Sequence, residues 1–266
     1  MGQARHPIVL SFSGHDPSGG AGIQADIETV AAHGCAAATV VTCLTVQDTG
    51  NVRLLSPVSA ELVEQQARTL LADIPVRTIK IGLIGNAAVA AAIAGVLRDH
   101  PGIPVVLDPV LSAGGGAELA GPALLDSIRD QLLGRTALVT PNSQEARRLT
   151  GAHSLDECAE KLLAHGCAAV LITGGHEQEP SVTNRLYRPG RAPLASDWAR
   201  LPGSYHGSGC TLASSIAALL ASGCTLETAV QQGQEYTWQT LSHGWRAGAG
   251  QLLPDRLFAY RPDRQI

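Results

Sequence analysis

Short β-branched runs alternate along the chain with longer stretches rich in alanine and leucine. Uninterrupted apolar runs mark strands buried on both faces, and their alternation with helical stretches marks a parallel sheet covered by helices. The pattern predicts strands over residues 8–12, 37–45, 78–83, 105–107, 137–140 and 169–172. It predicts helices over 22–33, 59–72, 87–99, 122–133, 143–149, 155–165, 209–221 and 226–243. Around 184–199 the residues alternate and a Pro189-Gly190 turn intervenes, which predicts a hairpin at the sheet edge.

Several boundaries carry their own chemistry. Pro122 suits a first helical position, Ser154 with Glu157 forms a capping box, and Gly34 and Gly166 can adopt the left-handed conformation that stops a helix. The hexapeptide Ala-His-Gly-Cys-Ala-Ala occurs at 32–37 and again at 164–169, each time between a helix and a buried strand. Similarity does not extend beyond it, so it is one local solution used twice rather than a repeat architecture.

Composition narrows the class. The 266 residues suit one α/β domain over 1–266, and 45% hydrophobic against 3% aromatic residues points to small-residue helices packed on a sheet. A net charge of −4 leaves no basic footprint for nucleic acid. The six cysteines lie apart without a C-x-x-C pair, which indicates reduced thiols in a cytoplasmic protein rather than a disulfide framework or zinc site. The apolar run within residues 1–14 is too short for a signal peptide, and the helix from Cys210 carries Ser214, Ser215 and Ser222, as a buried helix of a protein without membrane spans would.

Candidate chemistry collects after the strands, since ligands of an open parallel sheet bind beyond its carboxyl edge. The polar loops there contain Ser13 through Gly22, Gln47-Asp48, Gly82 and Gly85, Asp108-Pro109-Val110, Pro141-Asn142 with Glu145, and Gly174-Gly175-His176. The turn Gly207-Ser208-Gly209 runs straight into an apolar helix whose first turn holds Cys210. Free N–H groups and the dipole at such a junction can hold a phosphate, and the same field lowers a thiol's pKa. Glycine turns also serve simply to pack helix on sheet. The Gly19–Gly22 turn lacks the Lys and Ser/Thr of a P-loop and the spacing of a dinucleotide fingerprint. Its glycines are expected to let a flat ligand approach the backbone, with Asp26 and Gln47 as partners, although Asp26 could equally be a solvated helix residue. Asp108, a carboxylate at the end of a buried strand, needs a partner or a cation and could hold Mg²⁺ with Glu145. Stabilisation of a helix N-terminus is an equal alternative for Glu145.

The stretches SGHDPSGGAGIQAD, KIGLIG, LDPV, TPNSQEA, GGH and HGSGCTLAS, in this order over nearly the whole chain, resemble the hydroxymethylpyrimidine/phosphomethylpyrimidine kinases of thiamin biosynthesis. The resemblance implies a three-layer ribokinase-like fold, a mostly parallel central sheet with helices on both faces. It implies ATP-dependent phosphorylation of a hydroxymethylpyrimidine to its monophosphate and then its diphosphate. Gly14, Asp26, Gln47 and Val110 would contact the pyrimidine, and Asn142, Thr173 and Gly175 the nucleotide. Asp108 and Glu145 would face Mg²⁺, while Gly207, Ser208 and Gly209 would form the anion hole with Cys210 as base. The family likeness also suggests a homodimer. Two places depart from the relatives: Thr173 stands where many carry Lys before Gly-Gly-His, and Leu-Ser-Ala-Gly-Gly-Gly follows Val110 where a Ser-Gly-Asp-like turn is frequent. The alternatives are a pyridoxine or pyridoxal kinase and, motivated by Thr173, a ligand-binding relative without turnover.

Overall fold

The computed structural model describes residues 6–261. The first residues of the stretch that argues against a signal peptide lie outside them. One nine-stranded sheet contains β1 (Ile8–His15), β2 (Ala36–Gln47), β3 (Val52–Pro57), β4 (Val76–Ile81), β5 (Val105–Leu107), β6 (Leu138–Val139), β7 (Val170–Ile172), β8 (Ser181–Arg188) and β9 (Arg191–Ala199). Their spatial order is β3-β2-β1-β4-β5-β6-β7-β8-β9. The six from β2 to β7 in that order are parallel, and antiparallel strands finish both edges. After β1 the chain moves to one side to form β2, and later to the other side to form β4. The carboxyl ends of β1 and β4 therefore flank a topological switch point, where a crevice opens.

Alternate residues of each central strand serve opposite cores. Leu10 and Phe12 of β1, Val105 and Leu107 of β5, and Val170 and Ile172 of β7 point to one face. There they meet α2 (Ala60–Asp73), α3 (Ala87–Asp99), α4 (Pro122–Ser127), α5 (Ser143–Thr150) and α6 (Leu155–Ala164). Val9, Val106, Leu138 and Leu171 point to the other, against α1 (Gly22–Ala32), α7 (Ser208–Ala221) and α8 (Leu226–Ser242). Both faces being apolar, the strands read as continuous hydrophobic runs.

The expected elements are present, with differences at their ends. β3 is an addition to the expected strands: none of its six residues is buried, four are exposed, and it ends on Pro57, so no buried run marks it. The helix expected over 122–133 loosens after Ser127 into a π turn at Ile128–Leu132. Both copies of the repeated hexapeptide do the same work. His33 and His165 end their helices, Gly34 and Gly166 take φ of +72° and +96°, and Cys35 and Cys167 are buried. Among the described residues no helix is long and apolar enough to cross a membrane.

Candidate active site

A cleft of about 530 Å³ lies at the carboxyl edge of the parallel strands. It is lined at the end of β1 by Gly14, at the end of β2 by Gln47, after β5 by Asp108 and Val110, after β6 by Asn142 and Glu145, and after β7 by Thr173 and Gly175. The turn Gly207-Ser208-Gly209-Cys210 completes the wall. Of the residues expected at the site only Asp26 does not line this cleft.

The α7 junction is shaped by glycine. Gly207 precedes α7 with φ +78° and no side chain caps the helix, so the first N–H groups of α7 have no side-chain partner. A Cβ on Gly207 would lie 1.9 Å from the carbonyl oxygen of Gly20. The glycines of the first loop thus allow the protein's own backbones to touch, which differs from the expected role of admitting a ligand. Gly22, with φ +60°, shows the same constraint, since its Cβ would meet Gly14 O at 2.2 Å. Gly14, Ala21 and Gly22 nevertheless present backbone to the cleft.

A side-chain pair absent from the sequence reading ties these two loops together. His206 Nε2 donates to Asp16 Oδ2 at 2.8 Å, and the Gln47 amide lies 3.3 Å from the same nitrogen. Asp16 also accepts from Ser18 N–H and Oγ–H and from Ala21 N–H. Burial alone would raise its pKa, but the bonds from His206 and Ser18 outweigh this and hold it at about 2.

Asp26 is fully buried and does not line the cleft, which rules out the reading of it as a solvated residue. Lys80 Nζ donates to its two oxygens at 2.9 and 3.0 Å, Ser11 Oγ at 2.6 Å and Ser214 Oγ at 2.7 Å. Its acceptor positions are consumed by the protein. Lys80 is equally buried, and although burial opposes its charge, Asp26 beside it, with Cys210 and Asp108 nearby, keeps the ammonium protonated. Lys80 opens the KIGLIG stretch, which carries no role for the lysine itself, yet an unpaired charge inside an apolar strand would be untenable and so points to a buried partner.

Cys210 corrects a second expectation. Its thiol is pushed up to about 12, chiefly by burial; Lys80 draws it down, while Asp108 and then Asp26 push it further up. Desolvation outweighs the helix field that was expected to free a thiolate.

Asp108 and Glu145 form an uneasy pair. Burial raises the pKa of both, and the Asp108 charge raises Glu145 further. Glu145 also fulfils its helix-terminal alternative. Its Oε2 accepts from Asn142 N–H at 2.9 Å while Asn142 Oδ1 accepts from Glu145 N–H at 2.9 Å, a reciprocal capping box at the start of α5. Asp108 Oδ2 is buried without a hydrogen-bond partner. Two such carboxylates in a cleft suit a divalent cation whose remaining ligands are phosphate oxygens and water. The described residues contain no cluster of three or more His, Cys, Asp or Glu that could enclose one alone.

Toward β9 the cleft is lined by Thr173, Arg200, Trp198 and Trp238. Arg200 is the only Lys or Arg lining the cleft among the described residues. It donates to the carbonyls of Gly175 at 3.0 Å, Glu177 at 2.8 Å and Glu179 at 2.9 Å. Trp198 and Trp238 are held by bonds from their indole N–H to Gln234 Oε1 and Ala199 O. These three residues sit on β9, just past it and on α8, outside every motif, so only the folded chain brings them to the site.

Comparison with known proteins accords with this geometry. The family model described as phosphomethylpyrimidine kinase matches residues 16–255. A hydroxymethylpyrimidine/phosphomethylpyrimidine kinase from Mycobacterium tuberculosis is 38% identical over 251 residues, 92% of this chain and 91% of that protein. The protein of that name from Rhizobium meliloti is 37% identical over 256 residues, 92% of this chain and 94% of that one. Among solved structures, an ADP complex of Bacillus subtilis pyridoxal kinase superposes with a TM-score of 0.88 at 25% identity, covering 97% of this chain and 100% of that one. A phosphomethylpyrimidine kinase from Clostridium difficile gives 0.77 at 29% identity, covering 88% and 99%.

Proposed function

Since the chain belongs to the phosphomethylpyrimidine kinase family, we propose that the cleft binds a hydroxymethylpyrimidine at its Gln47 end and a nucleotide at its Arg200 end. The protein is a hydroxymethylpyrimidine and phosphomethylpyrimidine kinase of thiamin biosynthesis, which transfers phosphoryl groups first to the alcohol and then to the monophosphate. The observation that carries the assignment of parts is the uncapped start of α7 facing the same cleft as Asp108 and Glu145.

In this reading Gly14 and Val110 flank the pyrimidine ring and Gln47 hydrogen-bonds to it. The N–H groups at Gly207, Ser208 and Gly209 meet the charge that spreads over the phosphoryl oxygens in the transition state. Asn142, Thr173 and Gly175 border the nucleotide, and Arg200 supplies the positive side chain that Thr173 does not. ADP and an ATP analogue, AMP-PCP, occur in related kinase structures. Asp108 and Glu145 would hold Mg²⁺, which neutralises phosphate charge when bound. Cys210 would take the hydroxymethyl proton as the thiolate, once its own proton has passed to solvent. Its buried thiol is protonated in the free protein, and neutralising the Asp108 charge would remove the larger of the two carboxylate effects that oppose a thiolate. The domain spans 1–266 and acts in the cytoplasm. The exposed Leu44, Val46 and Leu54 of β2 and β3 are the apolar face that a homodimer would cover, which sedimentation would reveal.

The deciding experiment is ADP release with product identification, offering hydroxymethylpyrimidine, its monophosphate and pyridoxal separately with Mg·ATP. Turnover of both pyrimidines is expected, and failure of both would overturn the assignment. Turnover of pyridoxal alone would favour the second reading, a pyridoxal kinase, which the likeness to the Bacillus subtilis enzyme supports.

A further inference from the structure

The chain beyond α8 returns to the site. Trp245 and Leu253 pair through their backbones at 2.9 and 2.8 Å. Leu252 then runs beside the segment leading into α7, donating to Ser204 O at 2.9 Å and accepting from His206 N–H at 2.9 Å. Four residues later stands Arg256, whose side chain is 1% exposed. Its Nε donates to Thr211 Oγ1 at 2.9 Å, its Nη1 to Gly19 O at 3.3 Å and Glu28 Oε2 at 3.1 Å, and its Nη2 to Gly20 O. Thr211 Oγ–H in turn donates to Gly207 O at 2.9 Å. A Cβ on Gly207 would lie 2.9 Å from Arg256 Nη2, so this one guanidinium sits where the Gly19-Gly20 and Gly207 turns meet.

A packing role alone does not explain a cation here. Burying a guanidinium is costly unless its donors are satisfied, and an apolar side chain would fill the space without that penalty. Arg256 commits four of its five donors, two of them to the Gly19-Gly20 turn and one to Thr211 of α7, whose hydroxyl carries the link on to Gly207 O. Its carboxylate partner, Glu28, is 31% exposed, so solvent screens that charge while the cation stays enclosed behind the first turn of α7.

We infer that Arg256 is a positioning residue for phosphoryl transfer, clamping the Gly19-Gly20 turn to the Gly207–Cys210 turn with its charge behind the start of α7. The inference rests on the assignment of the latter turn to the transferring phosphoryl group. Arg256 contacts neither substrate in this arrangement; it fixes the backbone that does.

The test compares Arg256→Lys, Glu28→Gln and Gly209→Val in the full chain, measuring kcat with Mg·ATP and calorimetric binding of hydroxymethylpyrimidine without nucleotide. Lysine keeps the charge but cannot reach Thr211, Gly19 and Gly20 together. Arg256→Lys is expected to lower kcat about 100-fold, the scale of a misplaced catalytic element, with pyrimidine Kd within about threefold. Glu28→Gln is expected to hold kcat within about twofold, because it removes only a partly exposed pair. Near-normal kcat in Arg256→Lys beside an inactive Gly209→Val would overturn the clamp alone. Near-normal kcat in both would overturn the phosphoryl turn itself. Equal losses of kcat and pyrimidine affinity in Arg256→Lys would reduce Arg256 to a fold element and also overturn the inference. If Arg256→Lys fails to fold, Thr211→Val decides: a roughly tenfold fall in kcat with pyrimidine binding retained is expected for one lost link of the clamp, and an unchanged kcat overturns it.

Discussion

His206 and Asp16, 190 residues apart in the chain, meet at 2.8 Å and join the loop after β1 to the turn that begins α7. The pair brings the two glycine-rich segments onto one wall of the cleft. Because the folded carboxyl has a pKa of about 2, below its unfolded value, its stabilising contribution is present above about pH 4 and lost as the pH falls through 2. Asp16→Asn is therefore expected to cost about 2 kcal/mol at pH 7, from the size of that shift. Denaturant unfolding of both proteins should show the gap closing between pH 4 and pH 2; a gap independent of pH would assign the loss to packing instead.

Cys210→Ser should keep the fold and pyrimidine binding, since the hydroxyl is smaller and also polar. It should lower kcat by about 100-fold or more, the usual contribution of a positioned proton acceptor. Steady-state kinetics decide this, and a kcat within a few fold of the parent would show that Cys210 only packs the wall.

Asp108 and Glu145 make the opposite pH signature to Asp16. Their folded pKa values are raised, so the stability they permit is complete below about pH 4 and declines as pH rises through each folded value. Asp108→Asn combined with Glu145→Gln should gain on the parent with rising pH, by several kcal/mol at pH 8 in nucleotide-free protein. Thermal unfolding across pH 4.5–8 measures the difference, and Mg²⁺ with ADP should stabilise the parent but not the variant.

Arg200→Gln tests the cation at the nucleotide end. Losing one charge-assisted phosphate contact should raise the KM for ATP about tenfold and leave that for the pyrimidine unchanged. Parallel increases in both KM values would instead place Arg200 as a support for the Gly174–Ser181 loop.

Gly22→Ala should destabilise the protein by about 2–4 kcal/mol, because a left-handed backbone and contact with Gly14 O coincide there. A melting temperature equal to the parent's would show that the two backbones separate easily.

Much of this protein could be read from its sequence because the information was local. The runs of β-branched residues specified the buried strands, and the polar loops after them specified the carboxyl edge as the place of chemistry. The motif residues Gly14, Gln47, Val110, Asn142, Thr173, Gly175 and Gly207 through Cys210 do gather on one cleft, since parallel strands deliver all their following loops to the same side.

The remainder depended on distances that a sequence does not contain. Asp26 has a motif position open to a solvated reading, but Lys80, brought alongside by β4, and the hydroxyls of Ser11 and Ser214 hold it buried. Cys210 sits where a helix dipole lowers a thiol's pKa, yet burial depth governs the outcome and raises it. Arg256 belongs to no motif and acquires its place only when the C-terminal segment pairs beside Ser204 and His206. The sequence alone determined which residue types were available and which edge of the sheet they would reach. Tertiary structure decided which charges pair, because ion pairing and desolvation depend on a few ångströms and on the exclusion of water, neither of which local sequence encodes.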